Sequence, residues 1–262
     1  MGRATALPQF AVLQAEPGWR SVDFISDLHL QPGEAATVDA WRRYLLDTPA
    51  DALFILGDLF EAWVGDDAAR VPGFAAECTQ ALREASAARP TFFMHGNRDF
   101  LVGAEWAADA GVRLLDDPTV LEFAGQRWLL THGDLLCLAD QAYLEFRAQV
   151  RLAIWRNEFL ARPLAEREAV AQGMREASRN HQRALPTYAD VDEPAAREWL
   201  AATGAQTLVH GHTHRPGDHK LGDGLRRIVL SDWDAQSEPP RLQALRLSAS
   251  GELTRVDIEP GA

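Results

Sequence analysis

Residues 52–67 read ALFILGDLFEAWVGDD. Five apolar residues run without a break and stop at Gly57-Asp58, the pattern of a strand buried on both faces that ends in a turn. The pattern recurs four times: residues 22–26 lead into Asp27, 91–94 into His95-Gly96-Asn97, 127–130 into Thr131-His132, and 207–209 into His210-Gly211-His212. Helix-like stretches at 36–46 and 74–88 separate the first three runs, so the chain opens as β-α-β-α-β. Residues 226–230 and 241–258 look like further strands in a meander. The expected class is α/β, a mixed-sheet sandwich with helices outside. Ligands of open α/β sheets sit beyond the carboxyl ends of the strands, which predicts that the five polar clusters gather at one rim.

A chain of 262 residues that is 47% hydrophobic, with 8 Trp and 11 Phe, can bury a core, and one domain over 1–262 with an insertion is expected. A net charge of −12 argues against a nucleic-acid partner, which would need Lys and Arg facing its phosphates. Cys78 and Cys137 form no CxxC pair, so no disulfide framework or thiolate metal site is expected, which suits a reducing cytoplasm. No signal peptide is read at the start, and no apolar run is long enough to span a bilayer, so membrane contact would be peripheral. No obligate protein partner is evident.

The polar clusters carry the chemistry. Asp27 and His29, at i and i+2, point the same way from an extended strand end. Asp58 offers two oxygens able to bridge hard cations, Asn97 an amide oxygen, and His132, His212 and His214 imidazoles. Ligation by Asp, Asn and His without Cys suits Mn²⁺, Fe²⁺, Mg²⁺ or Zn²⁺. Two such ions roughly 3.5–4 Å apart clamp the attacking and leaving oxygens of a displacement at phosphorus. Taken singly, these residues have ordinary roles in turns, caps and structural histidines. Their order, D-x-H, G-D, G-N-R-D, T-H-G-D and G-H-T-H, favours the metals.

Residues 141–183 show no strand signal, and Pro163 is expected to split them into two helices. Eight arginines stand here against five glutamates, net +3 in an acidic chain, beside Val150, Leu152, Ile154, Trp155, Phe159, Leu160 and Leu164. A basic, apolar, helical insertion reads as a membrane-surface element or as a cap over an acylated anion, with Arg147 and Arg151 expected to meet anionic lipid. The ordinary alternative is a helix pair packed on the core.

The segments SDLHL, GDLFEAWVGDD, HGNRDF, THGDLLC and HGHTHRP resemble the calcineurin-like metallophosphoesterases, and within them the UDP-2,3-diacylglucosamine hydrolases of bacterial lipid A biosynthesis. The resemblance runs from Ser21 to about Trp233 and implies an α/β/β/α sandwich of two mixed sheets with a helical cap at about 141–183. It implies two ions, Mn²⁺ by preference, one held by Asp27, His29, Asp58 and His214 and one by Asp58, Asn97, His132 and His212, with Asp58 bridging and His210 a structural neighbour.

The implied reaction is water attack on the α-phosphorus of UDP-2,3-diacylglucosamine, releasing UMP and 2,3-diacylglucosamine 1-phosphate, by a cytoplasmic enzyme peripheral to the inner membrane. Asn97, Arg98 and His212 would stabilise charge on the phosphoryl oxygens. The ordinary role of Arg98 is an ion pair with Asp99. Asp140 is implied to touch substrate, or else caps the following helix. Ser178, Gln182 and, as substitute for a missing Lys, Arg183 are implied cap contacts. The rival readings are a metallophosphoesterase of soluble nucleotides or phosphodiesters, and a scaffold that has lost its metals.

Overall fold

The computed structural model describes residues 7–184 and 189–260, the side chains of 177–184 excepted. Strands β1 (Ala11–Gln14) and β2 (Ser21–Ile25) precede helix α1 (Ala35–Asp47), and β3 (Ala52–Leu56), α2 (Phe74–Ala88), β4 (Thr91–Met94), α3 (Ala104–Ala110) and β5 (Arg113–Leu115) continue the alternation. A hairpin, β6 (Thr119–Phe123) and β7 (Gln126–Leu130), leads to three helices, α4 (Gln141–Val150), α5 (Ala153–Leu160) and α6 (Leu164–Ala184). Then follow α7 (Glu193–Thr203), β8 (Thr207–His210), β9 (Gly217–Gly222), β10 (Leu225–Val229), β11 (Gln243–Ser248) and β12 (Leu253–Asp257).

Two six-stranded mixed sheets result, ordered β1-β6-β7-β8-β10-β9 and β12-β11-β2-β3-β4-β5. The unbroken apolar run of β3 is explained by its two faces. Ala52, Phe54 and Leu56 enter the core between the sheets, where Phe54 stacks on Phe92 with ring centroids 4.7 Å apart, while Leu53 and Ile55 pack outward under the α1–α3 layer. Helix α7 covers the outer face of the other sheet through Ala196, Trp199 and Leu200. The layers are therefore α/β/β/α, as the sequence implied. The expected meander is corrected: β10 pairs with β8 and β9 in one sheet, whereas the β11–β12 hairpin crosses to the other and pairs with β2.

The insertion holds three helices, not two. Pro163 separates α5 from α6, but a second break falls at Leu152, whose extended backbone (φ −65°, ψ 136°) ends α4 without any Gly or Pro to announce it. The turn lets Phe159, with Trp155, Leu160 and Leu164 around it, pack on the core, so the ordinary alternative accounts for most of the apolar side chains. Phe146, Leu152 and Ile154 stay exposed. The expectation for Arg147 and Arg151 is overturned. Arg147 Nε donates to the buried Asp134 Oδ2 (2.7 Å) and Arg151 Nη2 to Gly96 O (2.8 Å), so both face inward and pin α4 to the rim.

Phe54→Ala would leave a cavity between the sheets and is expected to cost about 3–5 kcal/mol in urea unfolding, against about 0.5 kcal/mol or less for the exposed Leu46→Ala.

Candidate metal centre at the sheet rim

The clusters leave their strands through a backbone conformation that side chains rarely adopt. Asp27 (φ 54°), His29 (48°), Asp58 (52°), His212 (66°) and His214 (51°) are left-handed, five of the seven non-glycine residues at positive φ among the described residues. Such a conformation costs on the order of 1 kcal/mol or more and persists only where the surroundings over-determine it. Here the loops bind one another: Asp27 N–H donates to Gly57 O (3.1 Å), His29 N–H to Asp58 O (3.0 Å) and Gly211 N–H to His132 O (3.0 Å). Two glycines allow the close approach, because a Cβ on Gly96 would overlap Asp58 Oδ1 and one on Gly211 would overlap Asp27 Oδ2.

With the backbone fixed, the seven side chains converge. Asp27, His29 and His214 place donor atoms within 4.8 Å of one another, and so do Asp27, Asp58 and His132. Asp58 Oδ2 lies between the two groups, 4.0 Å from His29 Nε2 and 3.8 Å from His132 Nε2. Asn97 Oδ1 is 3.0 Å from His132 Nε2 and 2.8 Å from His212 Nδ1. Leu56 O accepts from His132 Nδ1 (2.9 Å), which leaves Nε2 as the atom facing the centre.

The electrostatics call for a cation. Asp27 is fully buried, and although its Oδ2 accepts from Ser26 Oγ (2.6 Å) and His212 N–H (2.9 Å), its Oδ1 has no hydrogen-bond partner. His214 Nε2 stands 3.4 Å from it without completing a hydrogen bond. A buried carboxylate oxygen left this way is costly unless positive charge meets it. Burial disfavours charge on His132, yet Asp58, Asp27 and Asp134 raise its pKa to about 9, another sign of excess negative potential. Oxygen and nitrogen donors with no thiolate fit hard or borderline divalent cations.

Three supporting residues escaped the sequence reading. Asp99 does not pair with Arg98; it turns inward and accepts the N–H groups of Asp58 (3.3 Å), Leu59 (2.7 Å), Phe60 (3.3 Å) and Gly96 (2.8 Å), fixing the Asp58 turn. Glu61 Oε2 lies 3.0 Å from His29 Nδ1, while its Oε1 accepts from Arg175 Nη2 of α6 at 2.7 Å. Asp232 Oδ2 stands 3.9 Å from His214 Nδ1 and accepts from Arg241 Nε (3.0 Å). No sequence signal announced them, since the folds of the loops bring these partners from far along the chain.

The other predicted residues are placed as follows. Arg98 is half-buried, its N–H donates to Asp58 Oδ1 (2.8 Å), and its guanidinium Nε is buried without a partner. Asp140 caps α4 by accepting Tyr143 N–H (3.0 Å), and the Tyr143 ring stands 6.0 Å from His212. His210 is buried, donates from Nδ1 to Gly211 O (2.8 Å), and belongs to neither donor group. The side chains of Ser178, Gln182 and Arg183 lie outside the described residues.

Two variants separate ligation from support. Asp58→Ala is expected to lower bound metal to about one ion or fewer, and Glu61→Ala to weaken binding about 10–100-fold at unchanged stoichiometry. Mass spectrometry of the native protein and chelator competition read the two effects.

A model of the calcineurin-like phosphoesterase family matches residues 20–216, a span that contains all seven rim residues. A Chromobacterium violaceum protein named UDP-2,3-diacylglucosamine hydrolase is 49% identical over 222 residues, 81% of this chain and 90% of that one. Proteins of the same name from Xanthomonas oryzae and Stenotrophomonas maltophilia are 45% and 44% identical over 236 residues, 84% of this chain and 94% of theirs. Its two-sheet sandwich, with acidic and imidazole side chains brought to one rim by strained strand ends, has the same origin: the chain belongs to the calcineurin-like phosphoesterase family.

Proposed function

We propose that this chain cleaves the diphosphate of UDP-2,3-diacylglucosamine by water attack on the α-phosphorus, yielding UMP and 2,3-diacylglucosamine 1-phosphate for lipid A biosynthesis. The observation that carries the reading is the convergence of seven donor side chains in a chain 44–49% identical to hydrolases of that name. Asp27, His29, Asp58 and His214 would hold one divalent ion, and Asp58, Asn97, His132 and His212 a second, Mn²⁺ by preference. Bound ions supply Lewis-acid activation of water and neutralise charge at phosphorus.

The protein's own groups do the rest. Arg98, with a buried Nε lacking a partner beside Asp58, is suited to clasp diphosphate oxygens bidentately. Asn97 and His212 face the same point and stabilise charge growing on the phosphoryl oxygens. Asp140, at the start of the cap, would meet sugar or nucleotide hydroxyls while capping α4, and the family resemblance adds Ser178, Gln182 and Arg183, whose side chains lie outside the described residues.

The whole chain, 1–262, acts as one domain with the cap inserted at about 141–183. No helix among the described residues is long and apolar enough to cross a membrane. Peripheral contact with the cytoplasmic face would run through the α4–α5 corner, where Phe146, Leu152 and Ile154 are exposed. A phosphodiesterase of soluble nucleotides would have no use for that corner.

Metal-stripped protein is expected to release UMP from UDP-2,3-diacylglucosamine only after Mn²⁺ is restored, with little action on a soluble phosphodiester; activity on the diester alone would hand the function to the soluble-substrate reading. Leu152→Asp combined with Ile154→Asp should reduce co-sedimentation with anionic vesicles several-fold, and unchanged co-sedimentation would remove the membrane contact.

A further inference from the structure

A cavity of about 340 Å³ opens beside His29, between the loop that follows β2 and residues 232–241. Its floor is apolar, from Leu28 and Trp233, and its walls carry Gln31, Glu34, Gln236 and Arg241. Among the described residues, Asn97, Arg98, Asp140 and the cap helices do not line it, although Arg175 of α6 reaches its Gln31. Its size is that of a small-ligand pocket.

We infer that this cavity is the nucleoside subsite, holding the ribose and uracil of the substrate and of the UMP product, which leaves Asp140 to the hydroxyls of the acylated sugar; the inference rests on the function proposed above. Attack at the α-phosphorus breaks the bond to the bridging diphosphate oxygen, and the phosphorus stays on the uridine. The nucleoside is therefore one ester linkage from the phosphorus held at the rim, and its subsite must share a wall with the donor cluster. This cavity shares His29.

The lining chemistry matches. Arg175 carries only donors, so its Nη2 at 3.3 Å turns the Gln31 amide oxygen toward itself and leaves the Gln31 nitrogen, which has no protein partner among the described residues. Glu34 Oε2 accepts from Gln236 Nε2 (3.1 Å), which leaves the Gln236 oxygen. One donor and one acceptor thus stay available, the complement of a pyrimidine edge where a carbonyl neighbours an N–H. Glu34, Asp232 and Asp234 against Arg241 make the lining acidic, poor for a second phosphate and suited to ribose hydroxyls, which donate to carboxylates.

Titration calorimetry of UMP and of inorganic phosphate against Mn²⁺-loaded protein tests the assignment. UMP should bind at least about tenfold more tightly than phosphate, and Gln31→Ala and Gln236→Ala should each weaken UMP about three- to tenfold while leaving phosphate affinity and metal content as they were. Gln236→Ala does not touch Arg175, so a loss there cannot come from a loosened cap. Equal binding of UMP and phosphate, or UMP binding that neither substitution weakens, would overturn the subsite. Should the protein release UMP from the lipid substrate and yet show either result, the subsite alone fails. Should it bind UMP in the expected way but leave the lipid substrate intact, the proposed reaction alone fails.

Discussion

Four carboxylates, Asp27, Asp58, Asp99 and Asp134, are buried close to one rim of the sandwich, and the rest of the site can be understood from how each is compensated. Asp99 takes four backbone N–H groups, Asp134 takes Tyr143 and Arg147 from α4, and Asp58 takes the Arg98 N–H. Asp27 Oδ1 and Asp134 Oδ1 are both left unmet, and of the two only Asp134 is bound by an arginine side chain. Presenting so many N–H groups inward needs strand ends that turn sharply, hence the left-handed residues, and the turns close only where Gly96 and Gly211 let the loops touch. Backbone strain, glycine placement and the demand for a cation are one problem solved together.

Much of this was legible in the sequence because the central strands are buried on both faces, which gives unbroken apolar runs such as the one before Gly57. The strands that went unread include β1, β5 and β9, all at sheet edges, where burial alternates or is slight and no run forms. At the site, the seven donors stood out through residue type and order. Asp99, Glu61 and Asp232 did not, because an acid that supports a neighbour looks like any acid until the loops are folded. The break at Leu152 was equally silent, being set by docking of α4 and α5 and not by a helix-breaking residue.

The excess positive charge of the cap, which in the sequence suggested an outward, lipid-facing surface, is spent partly inward. Arg147, Arg151, Arg167 and Arg175 reach Asp134, Gly96 O, Asp67 and Glu61, so the cap is fastened to the loops that carry the donors. The cap seats on the same rim it covers, and its seating depends on acids that also serve the centre.

The left-handed conformation of Asp27, His29, Asp58, His212 and His214 has a consequence for how such a sequence drifts. Glycine or asparagine at any of these positions would relax the backbone, so replacing a donor there recovers part of the strain it held, on the order of 1 kcal/mol. Selection for stability alone therefore runs downhill toward a quiet, metal-free sandwich, and a lineage released from its chemistry would lose these side chains faster than it lost its shape.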